Sequence, residues 1–255
     1  MNNIDQLLEQ MTDCKICGNT RRVPYIDPVF GEREQQCKCM AYKKNIARLK
    51  RSRIPKSYIG FEFSDYKCNT KEKDNWNKNK ATVDRLIKTI GKHEIVVDDN
   101  YDIFIYGGAV CGKTMLASIT LKQLILEHGY SGAYITAEEL VILAIEKNRF
   151  GVEKDLKLDD LLEHDFLVID GVDELTDLDN GRISGNVCFI IEAFFAQRKN
   201  TGKSFILTSK LSFKGLLARK RFIPRLACTT IRYRLYGNYM ETKLGEIDAR
   251  LDMEG

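Results

Sequence analysis

Three groups of residues have types and spacings suited to chemistry. The first lies in "IFIYGGAVCGKTMLA", where Gly107, four further residues, then Gly112, Lys113 and Thr114 join an apolar run to a helical pattern. That order is what phosphate binding needs. Glycines let backbone N–H groups curl around phosphate oxygens, and the following helix offers unpaired N–H donors at its positive end. Gly107, Gly108, Ala109, Val110, Cys111, Gly112, Lys113, Thr114 and Met115 are the expected nucleotide-binding stretch. Lys113 would meet the β- and γ-phosphates, and the Thr114 hydroxyl would meet Mg²⁺. Cys111 has no histidine nearby in the segment to activate it, so it is read as a small filler.

The second group is "FLVIDGVDEL". Asp170 closes an apolar run, the place from which a carboxylate holds a water of the Mg²⁺ shell. The residue after it is Gly171, which has no side chain to polarise water, and the next acids are Asp173 and Glu174. A sharp turn at Gly171 would bring Asp173, the first choice, or Glu174 back towards the γ-phosphate. The alternative is that both acids only cap the segment that follows.

The third group is Cys14, Cys17, Cys37 and Cys39, two close pairs out of eight cysteines in the chain. Four thiolates on two tight turns suit tetrahedral zinc, with no ligand position left for water, which predicts a structural ion. Plain structural thiols or a disulfide pair are the alternatives. His93, His128 and His164 are far away in sequence and are read as surface or packing residues.

These residues need elements to hold them. From residue 101 short apolar runs alternate with helical patterns. "YDIFIYG", "GAYIT", "HDFLVID", "SFILTS" and "TTIRYRLYG" are expected strands. "KTMLASITLKQLILEHG", "AEELVILAIEKN", "NVCFIIEAFFAQRKN" and "SFKGLLARK" are expected helices, the first ended by Gly129. Continuous apolar strands between helices predict a mainly parallel sheet covered on both faces. Upstream, residues 1–12 carry Ile4, Leu7, Leu8 and Met11 at helical spacing, and residues 41–53 read as a basic helix. Residues 67–80 read as a polar loop or helix start before the helical pattern of residues 81–92.

The chain has 255 residues, a net charge of +4 and 44% hydrophobic residues. Those values suit one α/β domain with a small appendage. No apolar run approaches the ~18 residues of a membrane span, and the N-terminus lacks a signal-peptide core. The expectation is a cytoplasmic protein with no membrane partner. Lys43, Lys44, Arg48, Lys50, Arg51 and Arg53 form one basic stretch. Arg219, Lys220, Arg221, Arg225, Arg232 and Arg234 form another. Each is either a track for a nucleic-acid backbone or a solvated face.

Taken in order, the Cys-rich start, "RIPKSYIGFEFSDY", "IFIYGGAVCGKTMLA", "GAYITAEEL", "FLVID", "FILTS" and "FIPRL" resemble the DnaC/DnaI-type replicative helicase loaders and the related IstB transposition ATPase, within the AAA+ class. The resemblance covers nearly the whole chain, including the one-residue spacing of the second cysteine pair. It implies an α/β, AAA+ P-loop NTPase core with a parallel sheet over residues 54–255. A zinc-binding, helicase-interacting module with a basic helical linker would occupy residues 1–53. It also implies ATP, Mg²⁺ and Zn²⁺ as cofactors. The implied partners are a hexameric replicative helicase, single-stranded DNA and, through the ATPase domain, other copies of the chain.

Further roles follow from the resemblance alone. Thr208-Ser209-Lys210 stands where the family has Thr-Ser-Asn, so Ser209 and Lys210 would face the γ-phosphate with a cation in place of an amide. Arg225 matches the arginine that reaches a neighbouring subunit's nucleotide; as a bare residue it is also a solvated member of a basic run. Met240 replaces the arginine of a second sensor, unless Lys243 substitutes. The resulting expectation is a slow ATPase that uses ATP as a switch to load a helicase. Two other readings stay open: a transposition helper that binds duplex DNA, and a nucleotide switch of the NACHT type, whose strand end also reads D-G-x-D-E.

Overall fold

The computed structural model describes residues 14–66, 73–91, 101–147, 156–177, 185–218 and 230–235. The chain opens on an antiparallel hairpin of β1 (Arg22–Asp27) and β2 (Gly31–Gln36). A turn holds the hairpin, with Asp27 Oδ1 accepting from the amides of Val29 and Phe30 at 2.8 and 2.9 Å. Sequence analysis places no strand here. Every residue of β2 is exposed, so no apolar alternation marks the strand.

Helix α1 (Lys38–Arg51) follows, then the single turn α2 (Lys56–Ile59) and the long α3 (Lys73–Gly91). The part of α3 expected as a polar loop or helix start is helical from Lys73 on. Helix α1 buries Ile46 and Leu49, and Asn45 Nδ2 donates to the carbonyl of Leu126 at 3.0 Å. The basic helix is therefore seated on the core.

The core strands are β3 (Asp102–Tyr106), β4 (Gly132–Thr136), β5 (Phe166–Asp170), β6 (Ser204–Ser209) and β7 (Thr230–Arg234). They form one sheet in the order β4-β5-β6-β3-β7, every pair parallel. Helices α4 (Lys113–His128), α5 (Ala137–Lys147), α6 (Glu174–Asp177), α7 (Gly185–Asn200) and α8 (Phe213–Leu217) complete the domain. Alternate strand residues feed two cores, as a pleated sheet requires. Ile103, Ile105, Val168 and Ile206 pack beneath α4, while Phe104, Leu167, Ile169, Phe205 and Leu207 pack beneath α5 and α7.

Helix α4 ends where the sequence places its stop. Gly129 has φ +75°, and the amides of Gly129 and Tyr130 donate to the carbonyls of Ile125 and Leu124, both at 3.2 Å. Two cations in the core have specific roles. Lys122 Nζ is held by the carbonyls of Ile59 and Phe61, at 3.2 and 2.5 Å, and by Glu62. Arg198, fully buried, donates to the carbonyls of Leu161, His164 and Ser204 at 2.6, 3.0 and 3.0 Å, tying together the ends of the sheet opposite the phosphate loop.

Candidate nucleotide site and cysteine cluster

Strand β3 ends at Tyr106 and α4 starts at Lys113, so Gly107–Gly112 is a loop at the carboxyl edge of the parallel sheet. Ligands of open α/β sheets bind at that edge. Gly107 is required by close approach, since a Cβ there would lie 2.4 Å from the carbonyl oxygen of Leu235. Gly112 is required twice, by φ +79° and by a Cβ position 2.6 Å from Cε2 of Tyr66. Tyr66 also donates its hydroxyl to the carbonyl of Cys111 at 2.8 Å. One aromatic side chain from the segment before the core thus braces the loop on two sides. Val110 sits at φ +58° with its side chain exposed, an uncommon conformation for a β-branched residue.

Lys113 Nζ turns inward onto the carbonyl of Gly108. The Cys111 thiol donates to the same carbonyl at 3.1 Å and lies 3.7 Å from Lys113 Nζ. Burial pushes this thiol above its ordinary value, against the pull of Lys113. Such a group packs rather than attacks.

Asp170 stands across from the helix start. Thr114 Oγ1 lies 2.9 and 3.1 Å from its two carboxylate oxygens. The Tyr134 hydroxyl donates to Oδ2 at 2.8 Å, and the Thr208 hydroxyl donates to Oδ1. Burial first, and then the charge of Asp170, pushes the Tyr134 phenol far above its usual range, so it remains a donor. A threonine hydroxyl beside a carboxylate is an oxygen pair that suits a hard divalent cation.

Gly171 has φ +78° and begins a tight turn in which the Glu174 amide donates to the Gly171 carbonyl at 2.9 Å. Strand β6 holds this turn. Thr208 Oγ1 accepts from the Gly171 amide at 2.9 Å, and the Thr208 carbonyl accepts from the Val172 amide at 2.9 Å. The two acids part company here. Asp173 is buried and accepts from the Lys210 amide at 2.9 Å, whereas Glu174 is exposed with Oε1 3.3 Å from Lys210 Nζ. Lys210 therefore borders the acidic turn. Ser209 is fully buried, and its hydroxyl accepts from the Leu211 amide at 2.9 Å. Of the Thr-Ser-Lys run it is Thr208 whose hydroxyl reaches Asp170. Tyr66, Tyr134 and Thr208 each lie within a stretch that sequence reasoning singled out, but it gave none of them these contacts, because each meets a partner a fold-level distance away.

The four cysteines form a second centre. Their Sγ atoms all lie within 4.8 Å of one another, and the Cys14–Cys37 and Cys17–Cys39 pairs are each 3.7 Å apart. Four sulfurs about 2.3 Å from a tetrahedral zinc stand about 3.8 Å apart, so the donor set fits the ion. The backbone amides of Cys17 and Ile16 hold the Cys14 thiol down at about 6, while burial pushes Cys39 up to about 12. His164 is half-buried and lies far from this cluster in sequence.

Arg225, Met240, Lys243 and His93, with the stretch Arg219–Arg221, lie outside the described residues. In the first basic stretch Arg48 donates to the carbonyl of Gly129, and Arg53 pairs with Glu139 at 2.8 Å. Lys44 and Arg51 are exposed. No helix among the described residues is long and apolar enough to cross a membrane.

A family model described as "IstB-like ATP binding protein" matches residues 45–218. No curated protein matches the chain. Among solved structures, AMPPCP-bound DnaA from Aquifex aeolicus aligns at 17% identity with a TM-score of 0.52, covering 71% of this chain and 51% of that one. This chain thus spans about half the length of that DnaA structure. A candidate primosome component from Streptococcus pyogenes serotype M3 aligns at 19% identity and TM-score 0.50, covering 75% and 96% of the two chains. The DnaC helicase loader aligns at 23% identity and TM-score 0.46, covering 64% and 99%. The first two likenesses show the fold, an α/β core with a five-stranded parallel sheet.

Proposed function

The chain belongs to the family of IstB-like ATP-binding proteins, and from that premise we propose that it is a cytoplasmic, ATP-dependent loader that places a ring-shaped, hexameric replicative helicase on single-stranded DNA. The observation that carries the nucleotide half is the pairing of Thr114 with Asp170, 2.9 Å apart at the mouth of the Gly107–Gly112 loop. The loop amides and Lys113 would hold the triphosphate. Thr114 and Asp170 would hold Mg²⁺, which supplies charge neutralisation between the phosphates. The chain's own contribution is orientation. Tyr66 fixes the loop, and three hydroxyls fix Asp170.

The helicase half is supported by the order of motifs along the chain and by the four-cysteine module ahead of the core. Cys14, Cys17, Cys37 and Cys39 would hold one structural Zn²⁺, and this module would grip the helicase. Arg225 would act on the nucleotide of a neighbouring copy, so the ATPase domains would self-associate on the target. With Gly171 after Asp170, turnover is slow and ATP serves as a switch.

The test is capture of the host's replicative helicase by the full chain, with and without ATP, followed by transfer of that helicase to circular single-stranded DNA. Binding and transfer that need the intact Lys113 are expected. Absence of helicase capture in every nucleotide state would overturn the helicase half. The resemblance to the IstB transposition ATPase supports one other reading, a transposition helper. Preference for duplex over single-stranded DNA would select it.

A further inference from the structure

On the reading that this cleft hydrolyses ATP, the position directly after Asp170 lacks a water-polarising side chain, and the structure places another carboxylate beside it. The turn at Gly171 folds Glu174 back over that glycine. A Cβ built on Gly171 would lie 3.3 Å from Cδ of Glu174 and 3.4 Å from each of its carboxylate oxygens. The Glu174 carboxylate thus borders the space into which a side chain at 171 would project.

Asp173 differs in kind. It is 6% exposed, and its Oδ1 holds the Lys210 amide at 2.9 Å. Swinging it towards a substrate would strip a half-buried amide of its acceptor. Glu174 has a 51% exposed side chain that pairs with the 56% exposed Lys210 ammonium. Pairs this exposed open at little cost. The sequence puts Asp173 first; the geometry puts Glu174 at the opening.

We propose that Glu174 is the catalytic base of this site, that Lys210 latches its carboxylate, and that Asp173 is a positioning residue that holds Lys210 through its amide. The ammonium on Oε1 occupies a lone pair that would otherwise take a proton from water. When the latch opens, water oxygen bonds to the terminal phosphorus as the bond from that phosphorus to the bridging oxygen breaks. The bonding electron pair leaves with the nucleoside diphosphate. The Glu174 carboxylate takes the proton from the water and returns it to solvent. No other reactant is needed.

The experiment measures ATP turnover by the zinc-loaded full chain and, separately, affinity for a fluorescent ATP analogue. Glu174→Gln should lower kcat by ~10²–10⁴, the scale of general-base catalysis, with affinity held within about threefold. Asp173→Asn keeps an acceptor for the Lys210 amide and removes a base, so its kcat should stay within about threefold of the parent. Lys210→Ala should raise kcat up to about fivefold at low salt. Added salt should speed the parent and leave Lys210→Ala unchanged, a response that a purely structural role for Lys210 would not produce. Adding Glu174→Gln to Lys210→Ala should abolish the gain. If Glu174→Gln turns over ATP at the parental rate, or if Asp173→Asn is the variant that fails, the assignment is overturned. A Lys113→Ala protein with unchanged nucleotide affinity would instead sink the nucleotide site itself, and this inference with it.

Discussion

Replacing Thr208 by valine removes one oxygen and keeps the branched shape. The residue is 1% exposed, so the change acts inside the protein. Its hydroxyl donates to Asp170 Oδ1 and accepts from the Gly171 amide at 2.9 Å, joining the strand-end carboxylate to the turn that carries both acids. A hydrogen bond to a carboxylate contributes roughly 1.5–3 kcal/mol. The half-buried Gly171 amide, deprived of its acceptor, adds about 1 kcal/mol because water reaches it only in part. The expected loss is about 3 kcal/mol, a large share of the ~5–15 kcal/mol that holds a domain folded. In urea, with an m-value of about 2–3 kcal/mol/M, the midpoint should fall by about 1 M. Thr208→Ser keeps the oxygen and loses a methyl, so its loss should be about 1 kcal/mol. Affinity for ATP with Mg²⁺ should fall further in the valine variant than affinity for ATP without it, because Asp170 loses one of its three hydroxyl partners. Equal urea midpoints for the valine and serine variants, or a valine variant within about 0.5 kcal/mol of the parent, would refute the bridging role.

Three further outcomes are expected. Tyr66→Phe keeps the ring against Gly112 and loses the bond to the Cys111 carbonyl, so stability should fall by about 1 kcal/mol, the worth of one neutral hydrogen bond, and ATP affinity should fall as the loop loses its brace; urea unfolding and titration of a fluorescent nucleotide check this. Purified protein should contain about one zinc per chain by elemental analysis, and Cys37→Ser should lose the metal and helicase capture while still binding ATP. Burial, aided by Arg198, holds the His164 imidazole below its ordinary 6.5, so the stability due to its neutral form is full above that pH and declines below it. His164→Asn should accordingly lose less stability than the parent between pH 7 and pH 5, measured by urea unfolding at both values.

Much of the site could be read from the sequence because its signals are local. The phosphate loop is one continuous string, Gly129 stops α4 by its own backbone freedom, and the cysteine pairs each lie within one turn. The strands were legible because both faces of a covered parallel sheet demand apolar residues. Legibility ended where function depends on residues far apart in the chain. Tyr66 reaches Cys111 across 45 positions, Tyr134 reaches Asp170 across 36, and Thr208 reaches it across 38. No periodicity encodes those meetings. The hairpin was hidden for the opposite reason, since β2 is exposed along its whole length. Helix α3 was half hidden because its first residues, "KDNWNKNK", show no apolar stripe. Arg198 and Lys122 look like solvated cations in sequence, and the backbone carbonyls that bury them come from other elements.

The first basic stretch shows how one segment serves two centres. Cys37 immediately precedes α1 and Cys39 is in its first turn, so two of the four sulfurs are fixed by the start of that helix. Fourteen residues at 1.5 Å each make α1 about 21 Å long. Its far half is bound to the nucleotide domain by Asn45 on the Leu126 carbonyl, by Arg48 on the Gly129 carbonyl, and by buried Ile46 and Leu49. Beyond it the Ser52 carbonyl accepts from the Tyr134 amide at 2.7 Å, and the hydroxyl of that same tyrosine donates to Asp170. The path from the sulfur cluster to the strand-end carboxylate therefore runs along one helix and one side chain, with hydrogen bonds at each joint. The cysteine module is thus joined through α1 to the end of α4, the helix whose first residue is Lys113. Arg48, on α1, and Arg53, just beyond it, are turned onto the Gly129 carbonyl and Glu139, so fewer cations of the basic stretch are free of protein partners than its composition suggests.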